Sequence, residues 1–145
     1  MTLRENGPGL MRTAQINGCL LCMDMRAARD LEGHLERSGG NPALSVSARG
    51  GPAPDEAFYA AVEDWRGADV FSPRERLAIE YAERLGEAPR SMQEDEAFWS
   101  RMHGAFSDTE IVDMTFAIVS WIAFGRLTHT LELDGVCMPT MPQRY

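Results

Sequence analysis

A chain of 145 residues with a formal net charge of −8 is long enough to bury a hydrophobic core and fits one domain, 1–145. Hydrophobic residues at 44% and charged residues at 25% are the proportions of a soluble globular protein. The acidic balance argues against nucleic acid or an anionic membrane as partner, because phosphate binding needs a basic surface. All 14 basic residues are arginine, which excludes a Schiff base or a lysine general base from this chain.

Three cysteines are far from the density of a secreted disulfide scaffold. The opening "MTLRENGPGLMRT" has no apolar run of signal-peptide length, and the longest apolar stretch, Phe116 to Gly125, is about half of a bilayer span. A soluble, cytoplasmic protein with an irregular tail over about 134–145 is expected.

In chain order, "CLLCMDMRAARDLEGHLER" predicts a helix from about Cys19 to Arg37, weakest at Gly33. Ser38 to Pro54 is rich in glycine and proline and reads as a connection. Asp55 to Trp65 predicts a short helix. Ser72 to Glu75 is a capping box with Pro73 at the first helical position, ahead of Leu77, Ile79, Tyr81, Ala82 and Leu85, with Gly86 as the stop. Ser91 to Glu94 repeats the device before Phe98, Trp99 and Met102. Ser107 to Glu110 opens the longest helix, where Ile111, Met114, Thr115, Ile118, Val119 and Ile122 recur at helical spacing. No segment alternates with period two. The fold class is all-α, with five to six helices and the CxxC pair at a helix N-terminus.

Cys19 and Cys22 stand at i and i+3, which puts both thiols on one helix face in its first turn. Unsatisfied amides and the positive end of the dipole favour a thiolate there, and a second cysteine can resolve its product. The alternative is two small buried residues. Zinc fits poorly, since the other cysteine is Cys137 in the tail and His34, His103 and His129 are scattered. No metal and no cofactor are expected. Asp24 reads as a first-turn carboxylate complementing the dipole, or as a group orienting the site. Cys22, Arg26, Asp30 and His34 form a column at i, i+4, i+8 and i+12, in which His34 reads as an exposed partner of Asp30 or a proton-transfer group. Trp65, Trp99 and Trp121 are expected in the core or at a subunit contact, the nine methionines as core filler, and Cys137 as an incidental thiol.

"AQINGCLLCMDMR", followed by "AARD", resembles the signature of the carboxymuconolactone decarboxylase / alkylhydroperoxidase D (AhpD-like) family. The resemblance continues through "VEDWRGADVFSPRERLAIEYAERL" and "FSDTEIVDMTFAIVSWIAFGRL", leaving out residues 1–10 and the tail after about Leu133. It implies an all-α scaffold whose cysteine pair reduces hydroperoxides. Cys22, as the deeper thiol, would be the nucleophile, and Cys19 would resolve the sulfenic acid to a disulfide. An external dithiol, lipoyl or thioredoxin-like, would return the electrons, and the assembly would be a dimer, trimer or hexamer.

Three positions depart from that pattern. Arg26 stands where the family has histidine; it can hold a thiolate electrostatically but cannot act as its base. The family's upstream glutamate falls at Gly7, with Glu5 out of register. "SWIAFGR" keeps Arg126 but not the asparagines of redox members. Two other functions therefore stand beside the thiol peroxidase: a lactone decarboxylase-like enzyme binding a small carboxylate through Arg26 and Arg126, and a non-catalytic oligomeric binding or stress protein.

Overall fold

Three helices that begin together and end together set the architecture. The computed structural model describes residues 1–24, 51 and 54–133, and among these all regular structure is helical, as the sequence predicts. The elements are α1 (Leu3–Asn17), α2 (Leu20–Asp24), α3 (Glu56–Ala60) running into a 3₁₀ turn (Ala61–Asp64), α4 (Pro73–Glu87), a 3₁₀ turn (Pro89–Ser91), α5 (Glu96–Ala105) and α6 (Asp108–Thr130).

The starts of α1, α4 and α6 are one structure. Each carries a capping box: Thr2 with Glu5, Ser72 with Glu75, and Ser107 with Glu110. In each, the hydroxyl accepts the third amide while the glutamate accepts the cap amide, so orphan donors are satisfied in both directions. Arginines from neighbouring helices then join the three boxes. Arg74, in the first turn of α4, donates to Glu5 of α1 at 2.6 Å and to Glu110 of α6, and Arg4 of α1 donates to Glu75 of α4 at 2.9 Å. Two cations sit where a helix dipole disfavours them, and cross-helix carboxylates offset that cost.

The helix α1 lies where the sequence reading placed no helix. Its cap signal, Thr2-x-x-Glu5, is the one recognised elsewhere, but Gly7, Pro8 and Gly9 follow it and suppress the helical pattern. Those residues serve packing. A β-carbon on Gly9 would lie 3.4 Å from the Ala78 carbonyl oxygen and from Ala82 Cβ, so glycine lets α1 press onto α4.

Helix α4 is the core's centre. On one side Leu77, Tyr81 and Ala82 meet Leu10 of α1, Phe98 and Met102 of α5, and Ile111, Met114 and Ile118 of α6. On the other, Ile79 joins Met11, Phe58, Tyr59, Val62, Trp65 and Phe71. Glu83 is a buried carboxylate between them, accepting from Arg12 at 2.7 Å, from Trp65 Nε1 at 3.1 Å and from Arg66. Burial pushes its carboxyl up, and the Arg66, Trp65 and Arg12 donors outweigh that, leaving it below the usual carboxylate range. Trp65 is buried and Trp99 and Trp121 are partly buried against the core, in line with the sequence.

Some boundaries differ from expectation. The α5 cap is Asp95, whose side chain accepts from the Phe98 amide at 2.9 Å, not Ser91. Ser91 closes its own 3₁₀ turn instead, donating to the Ala88 carbonyl, and Arg84 fixes Asp95 at 2.7 Å. Gly86 does not stop α4, which continues to Glu87. The segment from Asp55 changes from α to 3₁₀ geometry at Ala61. Finally, α6 is a 23-residue helix, long and apolar enough by length and composition to cross a bilayer, which the shorter apolar stretch in the sequence did not suggest. Its inner face nevertheless packs in the core described above. Its outer face leaves Val112, Phe116, Val119, Phe124 and Leu127 exposed, Phe116 at 72%.

Candidate functional site

The stretch Gln15 to Cys19 turns the chain from α1 into α2, and each residue has a local reason. Gly18 adopts the left-handed conformation at φ 66°, which glycine reaches without steric cost. Its amide donates to the Gln15 carbonyl and the Cys19 amide to the Ala14 carbonyl, both at 3.1 Å. These two bonds are the Schellman closure of a helix. Gln15 accepts from Arg12 at 3.2 Å, and Ile16 packs on Gly86 of α4, where a β-carbon would approach Ile16 Cδ1 to 3.3 Å.

Asn17 docks the turn onto α6. Its amide nitrogen donates to the Ile122 carbonyl at 3.2 Å, and its oxygen accepts from Arg126 Nε at 3.1 Å. The fit requires Gly125, because a β-carbon there would lie 2.6 Å from Asn17 Nδ2. Arg126 also donates to the Gly86 carbonyl at 2.7 Å. One arginine thus joins the finishing ends of α1, α4 and α6. Two of its donors are engaged by protein groups.

Cys19 and Cys22 are joined by a disulfide, with Cα atoms 5.2 Å apart. Cys19 caps α2: the Cys22 amide donates to its Sγ at 3.2 Å and the Met23 amide to its carbonyl at 3.0 Å. Its placement reverses the expected depth. Cys19 is fully buried, at 0% exposure, while Cys22 is partly exposed, because Cys19 lies in the closed turn beneath α6 and Cys22 one turn further out. After reduction, the amide pointing at Cys19 Sγ is a donor that a thiolate accepts more strongly than a thiol.

The other candidates divide. Asp24 is the last described residue of α2, beyond its first turn, so the first-turn dipole role does not hold. Arg26, His34 and Cys137 lie outside the described residues. His103 pairs with Asp108 at 3.2 Å on the surface, away from the cysteine turn. No group of three or more histidine, cysteine, aspartate or glutamate side chains among the described residues could hold a metal.

One neighbour of the site, His129, and the residue that closes the Gly7 position, Tyr59, were not singled out from the sequence. His129, on α6, lies against the cysteine turn, and a β-carbon on Gly18 would be 3.5 Å from its Cε1 and Nε2. Its signal was the spacing Ile122, Gly125, Arg126, His129, a single helical face. Tyr59 fills the space at Gly7, where a β-carbon would meet its hydroxyl oxygen at 2.8 Å. The position at which the resembled family has glutamate is therefore closed to any side chain unless Tyr59 moves.

Two curated proteins are similar to this chain. Uncharacterized protein YnjA of Escherichia coli (strain K12) is 26% identical over 133 residues, covering 92% of this chain and 62% of that protein. Uncharacterized protein YdfG of Bacillus subtilis (strain 168) is 23% identical over 118 residues, covering 81% of this chain and 67% of that protein. The chain thus spans about two thirds of the length of each. No family model matches the sequence.

Proposed function

We propose that this protein is a cytoplasmic, AhpD-like thiol oxidoreductase that reduces hydroperoxides through Cys22 and Cys19 and is reset by an external dithiol. The observation that carries this reading is the Cys19–Cys22 disulfide, set in a hydrogen-bonded turn with one sulfur buried and amide-bonded and the other partly exposed. That asymmetry suits a two-step cycle. The Cys22 thiolate attacks the peroxide, an S–O bond forms as O–O breaks, and the alkoxide leaves as alcohol after taking a proton. The Cys19 thiolate then attacks Cys22 sulfur, S–S forms as S–O breaks, and hydroxide leaves as water. A dithiol reductant, lipoyl or thioredoxin-like, takes the disulfide's place as the oxidised species. The roles assigned from the sequence stay with their residues, although access, not depth, is what suits Cys22 to the peroxide.

The exposed outer face of α6 supports self-association as part of the same proposal, because an apolar surface running the length of a helix is costly in water. The test of function is a coupled assay with an organic hydroperoxide and a dithiol. Wild type is expected to turn over and Cys22→Ser to fall to background. A rate that survives Cys22→Ser contradicts the thiol mechanism. With Arg26→His, a titratable group four residues after Cys22 in sequence is expected to raise turnover on the order of tenfold or more.

A further inference from the structure

We propose that His129 is a positioning residue for the buried cysteine: its imidazole, set against the Gly18 turn, holds the negative charge that Cys19 carries when the disulfide opens. The proposal rests on the reading of the cysteine pair as redox-active. Three observations place the residue. A β-carbon on Gly18, the residue bonded to Cys19, would lie 3.5 Å from both Cε1 and Nε2 of the ring. The register of α6 against this turn is fixed by Asn17, Gly125 and Arg126, and His129 follows Arg126 by one turn on the same face. Cys19 is fully buried, so a charge there has no water to stabilise it.

The chemistry creates that charge in both directions. In reset, a reductant thiolate attacks the accessible Cys22 sulfur and forms a mixed disulfide. The Cys19–Cys22 bond breaks, and its electron pair leaves on Cys19 Sγ. In resolution, the same Cys19 thiolate attacks Cys22 sulfenic acid. Burial disfavours the anion, and the Cys22 amide supplies one compensating donor. An imidazole beside the turn offers a ring N–H donor of the right polarity, the kind of neighbour that stabilises thiolates elsewhere in proteins. The charged groups on the described elements packed against the turn include Arg12, Arg126, Asp24 and Glu132. On α1, Arg12 is held by Glu83; on α6, Arg126 is held by Asn17 and the Gly86 carbonyl; Asp24 of α2 and Glu132 past α6 are acids.

His129 also sits in the last turn of α6, where a cation complements the dipole, so the test needs a readout that helix stabilisation would not move. In a Cys22→Ser, Cys137→Ser background, Cys19 is the sole thiol, and its ionisation is followed by thiolate absorbance across pH. His129→Gln is expected to lower the thiolate fraction about tenfold at a pH where a minority of Cys19 is ionised. His129→Lys, which places a fixed positive charge there, is expected to restore most of it. His129→Asn serves as a second uncharged variant, and helical content by circular dichroism verifies that each is folded. Titration of Cys19 unchanged in both uncharged variants overturns the proposal, as does an effect that lysine fails to reverse. No peroxide is turned over here, so failure of the His129 role and failure of the peroxidase reading are separate results.

Discussion

The two ends of the α1, α4 and α6 layer are built from different materials. At the starting end, three capping-box glutamates are cross-linked by Arg4 and Arg74, and the bonds are ionic. At the finishing end, past the ion pairs of Arg12 with Glu83 and Glu87, the helices meet through an asparagine amide, the backbone carbonyls that Asn17 and Arg126 reach, close approaches at Gly86 and Gly125, and one arginine. Charges in partial water tolerate small displacements, whereas an amide wedged against a glycine does not. The finishing end is the one that carries the disulfide. Close-packed placement is what a site that controls a thiolate requires.

The largest effect should follow from disturbing the finishing end. Gly125→Val places branched carbon where Asn17 Nδ2 already lies, so either the amide gives up its bonds to α6 or α6 shifts. A loss of about 1–3 kcal/mol is expected, the cost of overpacking a close contact. Thiol reactivity of Cys19 should rise with it as the turn loosens. Denaturant unfolding and alkylation of the reduced protein test the two effects. A stable variant with unchanged alkylation would show that the wedge does not govern the site.

The starting end should respond to acid. Burial raises the Glu5 carboxyl, but the Thr2 amide and Arg74 outweigh it, and Ser107 with Arg74 lowers Glu110, so both sit below the usual carboxylate range. A carboxyl lowered on folding stabilises the fold at pH above its unfolded value, about 4.3. That contribution is lost as pH falls through the lower folded value. Arg74→Met is therefore expected to reduce the melting temperature by a few degrees at neutral pH, since partly exposed ion pairs are each worth about 0–1 kcal/mol. The variant should also decline less steeply in acid. Parallel slopes for the two proteins would remove Arg74 from the account.

The smallest effect on the fold should come from the outer face of α6. Phe116→Glu alters a side chain that is 72% exposed, so the single chain should keep its stability within about 0.5 kcal/mol. Its association should fall instead. Light scattering is expected to give a multiple of the chain mass for wild type and a lower mass for the variant, and a monomeric wild type would contradict the association proposed for this face.

Much of this contrast follows sequence locality. The capping boxes at Ser72 and Ser107 were legible because their parts lie three residues apart, and so was the cysteine pair. The box at Thr2 has the same signature but was masked by Gly7, Pro8 and Gly9, whose reason is contact with Tyr59 and α4. At Ser91 the same pattern misled, because Asp95 offers a nearer acceptor anchored by Arg84. The site's surroundings were the least legible. Asn17 and Arg126 are 109 residues apart, and neither Gly18 nor His129 announces the other. Pairing across that separation is decided by the packing of α1 on α6, which no local pattern encodes.

The central claim is that a hydroperoxide drives the Cys19–Cys22 bond to form. Its most direct measurement is mass spectrometry of the reduced protein after one equivalent of organic hydroperoxide, read on the peptide from Thr13 to Arg26. The account predicts a loss of two hydrogen atoms on that peptide in wild type, and in Cys19→Ser a gain of one oxygen at Cys22 instead. An unmodified peptide, or oxidation confined to Cys137, would contradict it.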